Sequence, residues 1–140
     1  KSLIEPIANV LKGLGSRHVM VVHSADGLDE LSIADKTYVA ELKEGVVTTY
    51  TIHPEKLGFV LGNLNDIKAD DAEDSLNIIK DAFSGKEGAA RDIISLNAGA
   101  AIYVCGLTDS LMSGIERSRL ALSDGSAQQK LDDYIKISNS

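Results

Sequence analysis

The chain has 140 residues, of which 44% are hydrophobic, so it can form one domain with a core but is too short for two. Acidic residues outnumber lysines and arginines by 21 to 14, and the resulting net charge of −7 disfavours nucleic-acid binding through overall charge. No apolar run approaches the ~20 residues that span a bilayer, and the single cysteine, Cys105, excludes an internal disulfide. We therefore expect a cytoplasmic protein with no membrane partner and no nucleic-acid partner.

The chain is predicted to begin with a helix followed by a strand. Ser2, with Glu5 three positions later, is typical of a helix N-terminal capping box. One helical face carries the apolar residues Leu3, Ile7, Val10, Leu11 and Leu14. The next run, Val19 to Val22, is apolar without alternation, which is typical of a buried strand in a parallel sheet.

A β-hairpin and a helical half are predicted to follow. Residues 37–42 and 46–52 are rich in Thr, Val and Tyr and are separated by a turn that contains Gly45. Residues 58–69 have the composition of a loop. Four helical patterns follow, from Asp70 or Asp71, from Glu87, from Thr108 and from Ser126.

The predicted fold class is α/β, a partial mixed sheet of one buried parallel strand plus a β-hairpin, packed with helices. A strand buried on both faces needs more sheet neighbours than one hairpin supplies. We therefore expect further strands of the sheet to come from sequence outside this chain.

The loop Asp26-Gly27-Leu28-Asp29-Glu30, directly after the first strand, is the strongest candidate for chemistry. In open α/β sheets, ligands bind outside the carboxyl ends of the strands. Carboxylate oxygens, completed by substrate phosphates and water, are the ligands that Mg²⁺ prefers. The alternative is an ordinary solvated turn, because Asp and Gly are common in turns.

Other polar residues give weaker signals. His23 ends the strand beside the acidic loop and is a weak candidate for substrate binding, because a lone histidine in this position more often only caps the strand end. His18 and His53 are interpreted as structural. A buried Asn97 would need hydrogen-bond partners, and we expect Cys105 to be a buried apolar residue. No self-contained set of catalytic residues is present, so none is predicted.

Two groups of motifs resemble the anthranilate phosphoribosyltransferase family in order and spacing over nearly the whole chain. The first comprises Glu5-Pro6-Ile7-Ala8, Val21-Val22-His23 and the acidic loop 26–30. The second comprises Gly88-Ala89-Ala90-Arg91-Asp92 and Leu96-Asn97-Ala98-Gly99-Ala100-Ala101. Ser24 stands where the family commonly has glycine. The resemblance covers only the C-terminal portion of the family, under half of its length.

The resemblance implies transfer of a phosphoribosyl group from phosphoribosyl pyrophosphate to anthranilate, in tryptophan biosynthesis. It implies Mg²⁺ as cofactor, Asp29 and Glu30 as the metal-binding pair, and a homodimer when the protein is full length. It assigns residues 1–140 to the C-terminal part of a nucleoside phosphorylase or phosphoribosyltransferase type of α/β domain. The helical N-terminal domain and the first part of the α/β domain are then absent, and we expect the fragment alone to be inactive.

Three alternatives remain at this point. A pyrimidine nucleoside phosphorylase has a related fold but is expected to lack the acidic loop. A non-catalytic relative that binds nucleic acid should carry a basic face, against which the charge of −7 argues. A folded remnant without a function of its own is the third.

Overall fold

The computed structural model describes residues 1–139 as a small antiparallel sheet between one helix and a group of four. The sheet contains β1 (His18–Ser24), β2 (Thr37–Lys43) and β3 (Val46–Ile52). The helices are α1 (Ile4–Gly13), α2 (Ala72–Phe83), α3 (Ala89–Val104), α4 (Leu111–Ser123) and α5 (Ser126–Ser138). Two short 3-10 helices, Pro54–Leu57 and Leu64–Ile67, lie between β3 and α2. The second interrupts residues 58–69, which were predicted to be a loop.

The predicted hairpin is confirmed. Strands β2 and β3 pair antiparallel with Lys43 opposite Val46, which leaves a two-residue turn of Glu44 and Gly45. Both turn residues have positive φ, 52° and 78°, as the right-handed twist of a tight hairpin favours. The register places Val39 opposite Tyr50, so that these two side chains share a face of the sheet.

The parallel-strand prediction for residues 19–22 is not confirmed. Within the described residues, β1 pairs antiparallel with β2, Val21 lies opposite Ala40, and the strand order is β1-β2-β3. Most of β1 is half-buried rather than buried. Its uniform apolar character has another cause: Val21 packs toward Ala8 of α1, whereas Met20 and Val22 pack on the main core. When both faces of a strand are packed against other elements, apolar and polar residues no longer alternate along it, whether the neighbouring strand is parallel or antiparallel.

The main core lies between the sheet and α3 with α4. Its buried members come from the connections as well as from the strands and helices: Leu31, Ile33, Val39, Ile52, Phe59, Leu96 and Ile115. Helices α3 and α4 approach so closely that a methyl group placed on Gly99 would lie 2.6 Å from the Cα of Ile115. Close contact of this kind fixes α3 against its neighbour and therefore fixes the side chains that α3 presents to the sheet.

Helix α1 differs from its prediction in two ways. Its N-cap is Leu3 without a side-chain hydrogen bond, so the predicted capping box at Ser2 is wrong. The helix buries Ile4 and Ala8 against the sheet, while the predicted apolar face points outward, with 66% of Leu3, 61% of Val10 and 77% of Leu14 exposed. Within residues 1–139, none of the helices has the length and hydropathy needed to cross a membrane.

Candidate metal site at the acidic loop

The acidic loop begins where β1 ends and is organised around the carboxylate of Asp26. One oxygen, Oδ1, accepts hydrogen bonds from the hydroxyl of Ser24 and from the backbone N–H of Leu28, the latter at 3.2 Å. The other oxygen accepts from the hydroxyl of Ser32. Gly27 adopts a φ of 95°, which a residue with a side chain rarely tolerates. Asp26 therefore holds the turn.

These contacts also fix the charge of Asp26. Burial alone would raise the pKa of its carboxyl group, but the hydrogen bonds from Ser24, Ser32 and the Leu28 N–H outweigh burial and lower the pKa below its usual value. The ionised carboxylate of Asp26 is therefore used to stabilise the loop, through its three hydrogen bonds.

Asp29 and Glu30 differ from Asp26, because both side chains are exposed to solvent and neither carboxylate is bonded within the loop. Neither side chain makes a hydrogen bond or ion pair with any of residues 1–139. Two unpaired carboxylates on consecutive residues are hard oxygen donors, which suit Mg²⁺ when water and phosphate oxygens complete the six-coordinate shell. The residues present thus fit the predicted ion as a partial ligand set.

No complete metal site exists among the residues that the structure describes. Residues 1–139 contain no group of three or more His, Cys, Asp and Glu side chains placed to hold a metal. A cation at Asp29 and Glu30 would therefore need oxygen ligands from a substrate or from another part of a longer protein.

The segment after the acidic pair is held by Asn97 of α3. The Asn97 side chain accepts a hydrogen bond from the Leu31 N–H at 2.9 Å and donates one to the Leu31 carbonyl, also at 2.9 Å. The Leu31 side chain is fully buried in the main core. The predicted need of Asn97 for hydrogen-bond partners is met, but the residue that it binds is 66 positions away and could not be named from spacing.

His23 lies near this end of β1 but is not joined to the acidic pair. Alternation along β1 directs His23 to the α1 face with Val21, whereas Ser24 shares the other face with Val22. Its ring makes no hydrogen bond among residues 1–139. The prediction that His23 binds substrate therefore gains no geometric support and stays a prediction.

A second polar cluster, which the sequence analysis missed, surrounds Glu41 on the α3 face of β2. One carboxylate oxygen accepts from His18 and from the Tyr103 hydroxyl, both at 2.8 Å, and the other accepts from Tyr50 at 2.8 Å. The rings of His18 and Tyr103 meet edge to face with centroids 4.7 Å apart. A signal was available: Glu41 is the one charged residue between Tyr38 and Leu42, and it stands two residues after the buried Val39 on the same face of the strand.

The Glu41 cluster is structural and does not reach the acidic loop. Burial would raise the pKa of Glu41, but donors from Tyr103, His18 and Tyr50 lower it below its usual value. Burial and the adjacent carboxylate raise the pKa values of Tyr50 and Tyr103, so both remain protonated donors. His18 was interpreted as structural, and its contact with Glu41 agrees with that interpretation.

The prediction that Cys105 is buried is wrong. Cys105 follows the last residue of α3 and is exposed. The apolar periodicity of α3 ends at Val104, and the chain turns away at Gly106, which has a φ of 72°. The thiol therefore lies beyond the helical face that enters the core.

Sequence comparison assigns a family to a chain with this fold and this acidic loop. A sequence model described as "Glycosyl transferase family, a/b domain" matches residues 1–128, so the chain belongs to this family. Two curated relatives are anthranilate phosphoribosyltransferases, from Ruthia magnifica subsp. Calyptogena magnifica at 59% identity and from Vesicomyosocius okutanii subsp. Calyptogena okutanii at 56%. Each match extends over 138 residues, 99% of this chain and 41% of the relative. The predicted resemblance is confirmed, and the chain spans less than half the length of these relatives.

Two solved structures share the fold of this chain. The anthranilate phosphoribosyltransferase of Thermus thermophilus matches with a TM-score of 0.88 and 30% identity, over 99% of this chain and 41% of that one. The Saccharomyces cerevisiae enzyme in complex with PRPP and Mg matches with a TM-score of 0.74 over 85% of this chain and 34% of that one. At 21% identity, the yeast enzyme shares the fold.

Proposed function

We propose that this chain is the C-terminal part of an anthranilate phosphoribosyltransferase, which moves the phosphoribosyl group of phosphoribosyl pyrophosphate to anthranilate in tryptophan biosynthesis. The observation that carries the proposal is the 59% identity over 138 residues to a relative of that name. The acidic loop supports it, because its two free carboxylates lie at the end of a sheet strand and are available to a ligand. The proposal extends to residues 1–140 as part of a single α/β domain.

Asp29 and Glu30 are the residues that would hold Mg²⁺. They are exposed and unpaired within residues 1–139, whereas Asp26 is already engaged by Ser24, Leu28 and Ser32. A bound Mg²⁺ would supply positive charge to neutralise the leaving pyrophosphate. The yeast structure with PRPP and Mg supports the fold, and the case for the ion in this chain rests on these two side chains.

The charges of the loop determine how it can approach a phosphate group. Pyrophosphate repels bare carboxylates, so Asp29 and Glu30 require an intervening cation to approach it. With no arginine or lysine inside residues 25–35, the loop has no cationic side chain of its own to bind a phosphate group directly. Direct side-chain contacts from cationic groups to phosphate would then come from residues outside this loop.

We propose that the isolated chain is inactive because most substrate contacts lie outside it. A homodimer and a cytoplasmic location are proposed for the full-length protein, and they rest on the family resemblance.

A chimera tests the proposed function. In the chimera, this chain replaces the matched stretch of the Ruthia magnifica enzyme. Consumption of anthranilate is then measured in the presence of phosphoribosyl pyrophosphate, at several Mg²⁺ concentrations. We expect Mg²⁺-dependent turnover. The double variant Asp29→Asn with Glu30→Gln should lose at least ~100-fold in rate, because charge stabilisation at the leaving group is removed.

The matched control is Asp132→Asn with Asp133→Asn, which removes the same charge from the exposed surface of α5. This control should keep the rate of the parent chimera. A folded chimera without turnover would refute the proposed activity. A double variant at the loop with unchanged rate and Mg²⁺ dependence would refute the metal role of Asp29 and Glu30.

A further inference from the structure

The Asn97 side chain has a fixed orientation that depends on the loop. Its oxygen accepts from the Leu31 N–H at 2.9 Å, while its nitrogen donates to the Leu31 carbonyl at 2.9 Å and to the Ile93 carbonyl at 3.0 Å. Exchanging the oxygen and nitrogen would set an acceptor against two carbonyls and a donor against an N–H. Only one orientation of the amide therefore satisfies all three partners.

These bonds place a backbone clamp directly beside the acidic pair. A single side-chain amide that binds both the N–H and the carbonyl of one residue acts as a neighbouring strand would. Leu31 is the residue after Glu30, and its own side chain is anchored in the core at 1% exposure. The backbone that leaves Glu30 is consequently fixed by hydrogen bonds and by packing at the same point.

The loop is also fastened on the other side of the acidic pair. Asp26 binds Ser24 at the end of β1, Leu28 within the loop and Ser32 beyond it. Ser32 in turn accepts from the Ala34 N–H at 2.9 Å. Asp29 and Glu30 thus form the free stretch between two fastened points, and their side chains are exposed.

The support behind Asn97 is rigid. Two residues further along α3, the carbonyl oxygen of Gly99 lies so close to α4 that a methyl group on Gly114 would clash with it. A displacement of Asn97 would require α3 to move against α4. The packing of α3 against α4 therefore sets the position of Asn97, and the hydrogen bonds of Asn97 to Leu31 fix the backbone of the loop.

We infer that Asn97 is a positioning residue for the acidic pair: it fixes the backbone at Leu31 and thereby the direction in which Asp29 and Glu30 present their carboxylates. This inference rests on the proposed function for the role of the pair, although the clamp itself does not. Preorganised ligands avoid the cost of ordering a loop when the ion and its phosphate bind.

The test compares Asn97→Leu, Asn97→Asp and Asn77→Leu in the chimera described above. Leucine has a similar volume but removes all three hydrogen bonds, whereas aspartate keeps an acceptor for the Leu31 N–H and loses the donor. Asn77 is exposed on α2 and makes no side-chain hydrogen bond within residues 1–139, so its variant is the matched control.

Two measurements are made on each protein: hydrogen–deuterium exchange of the peptide covering residues 26–35, and the Mg²⁺ concentration that gives half-maximal rate. We expect Asn97→Leu to exchange roughly tenfold faster in this peptide. We expect its half-maximal Mg²⁺ concentration to rise severalfold. Asn97→Asp should change both measurements at least as much as Asn97→Leu, because its second carboxylate oxygen would face the Leu31 and Ile93 carbonyls. Asn77→Leu should match the parent in both measurements.

The possible results separate this inference from the proposed function. An inactive chimera with fast loop exchange in Asn97→Leu would refute the function and keep the clamp. Unchanged loop exchange in Asn97→Leu, or an unchanged Mg²⁺ requirement in an active variant, would overturn the inference. Loss of protection throughout the sheet and α4 would also overturn it, because Asn97 would then serve folding in general.

Discussion

Replacement of Gly99 by alanine should destabilise the protein, although alanine is the better helix former. In the middle of α3, alanine gains ~1 kcal/mol over glycine from helix propensity. The added methyl group, however, would lie 2.6 Å from the Cα and 2.7 Å from the N of Ile115. Ordinary contact between carbon atoms requires about 3.5–4.0 Å, so the backbone of α4 must retreat by roughly 1 Å.

The steric cost should exceed the gain in helix propensity. Overpacking typically costs about 1–3 kcal/mol, and the upper part of that range applies because the obstacle is backbone rather than a flexible side chain. We therefore expect Gly99→Ala to lower the free energy of unfolding by about 1–2 kcal/mol.

Urea unfolding followed by circular dichroism measures this difference. The matched control is Gly13→Ala, at the end of α1, where a methyl group meets nothing within 4 Å. This control should be neutral or more stable by up to about 1 kcal/mol. If Gly99→Ala is as stable as the unsubstituted chain, the close contact between α3 and α4 is not present in solution.

Three further predictions concern Glu41, Cys105 and the isolated chain. The pKa of Glu41 is lowered on folding by its hydrogen bonds, so its contribution to stability is present above the unfolded pKa of about 4.5 and is lost as pH falls through the folded pKa. The stability difference between the unsubstituted chain and Glu41→Gln, measured by urea unfolding, should therefore shrink as the pH falls below about 4.5. A difference that stays the same across this range would contradict the ionised cluster. Cys105 should react with a thiol reagent in the native chain as completely as in urea, because it is exposed, and a thiol protected until unfolding would contradict its position. The isolated 140-residue chain should show no phosphoribosyl transfer, and measurable turnover would mean that residues outside the chain are not needed for substrate binding.

The fold was predictable where a local pattern had one physical cause. Gly45 after a run of Thr, Val and Tyr predicted the hairpin, because a two-residue turn needs positive φ. The direction of β1 was not predictable in this way. An uninterrupted apolar run indicates that both faces of a strand are covered. Helices can cover both faces of parallel and antiparallel strands, so the run does not indicate the direction of the neighbouring strand.

The candidate site was predictable only in part, for a similar reason. The acidic loop is contiguous in sequence, so Asp29 and Glu30 could be singled out by composition and position. The contacts that fix the loop are not contiguous: Asn97 reaches Leu31 across 66 positions. Likewise, Glu41 meets Tyr103 across 62 positions, and nothing in the spacing of either residue indicates the other.

The apolar face of α1 shows how a strong pattern can indicate the wrong partner. Leu3, Val10 and Leu14 have the spacing of a core-facing helix, but the sheet is covered by Ile4 and Ala8 instead. Helical periodicity identifies which residues share a face and does not identify what that face contacts.

Strand β1 has consequences for how the chain behaves when it is produced alone. It lies at one edge of the sheet formed by the described residues, so alternate backbone N–H and C=O groups point away from β2. Its sequence, His-Val-Met-Val-Val-His-Ser, contains no proline, lysine or other charge that would discourage pairing with another strand. We expect concentrated solutions of the chain to self-associate edge to edge through β1, and a lysine at Val19 to suppress that association.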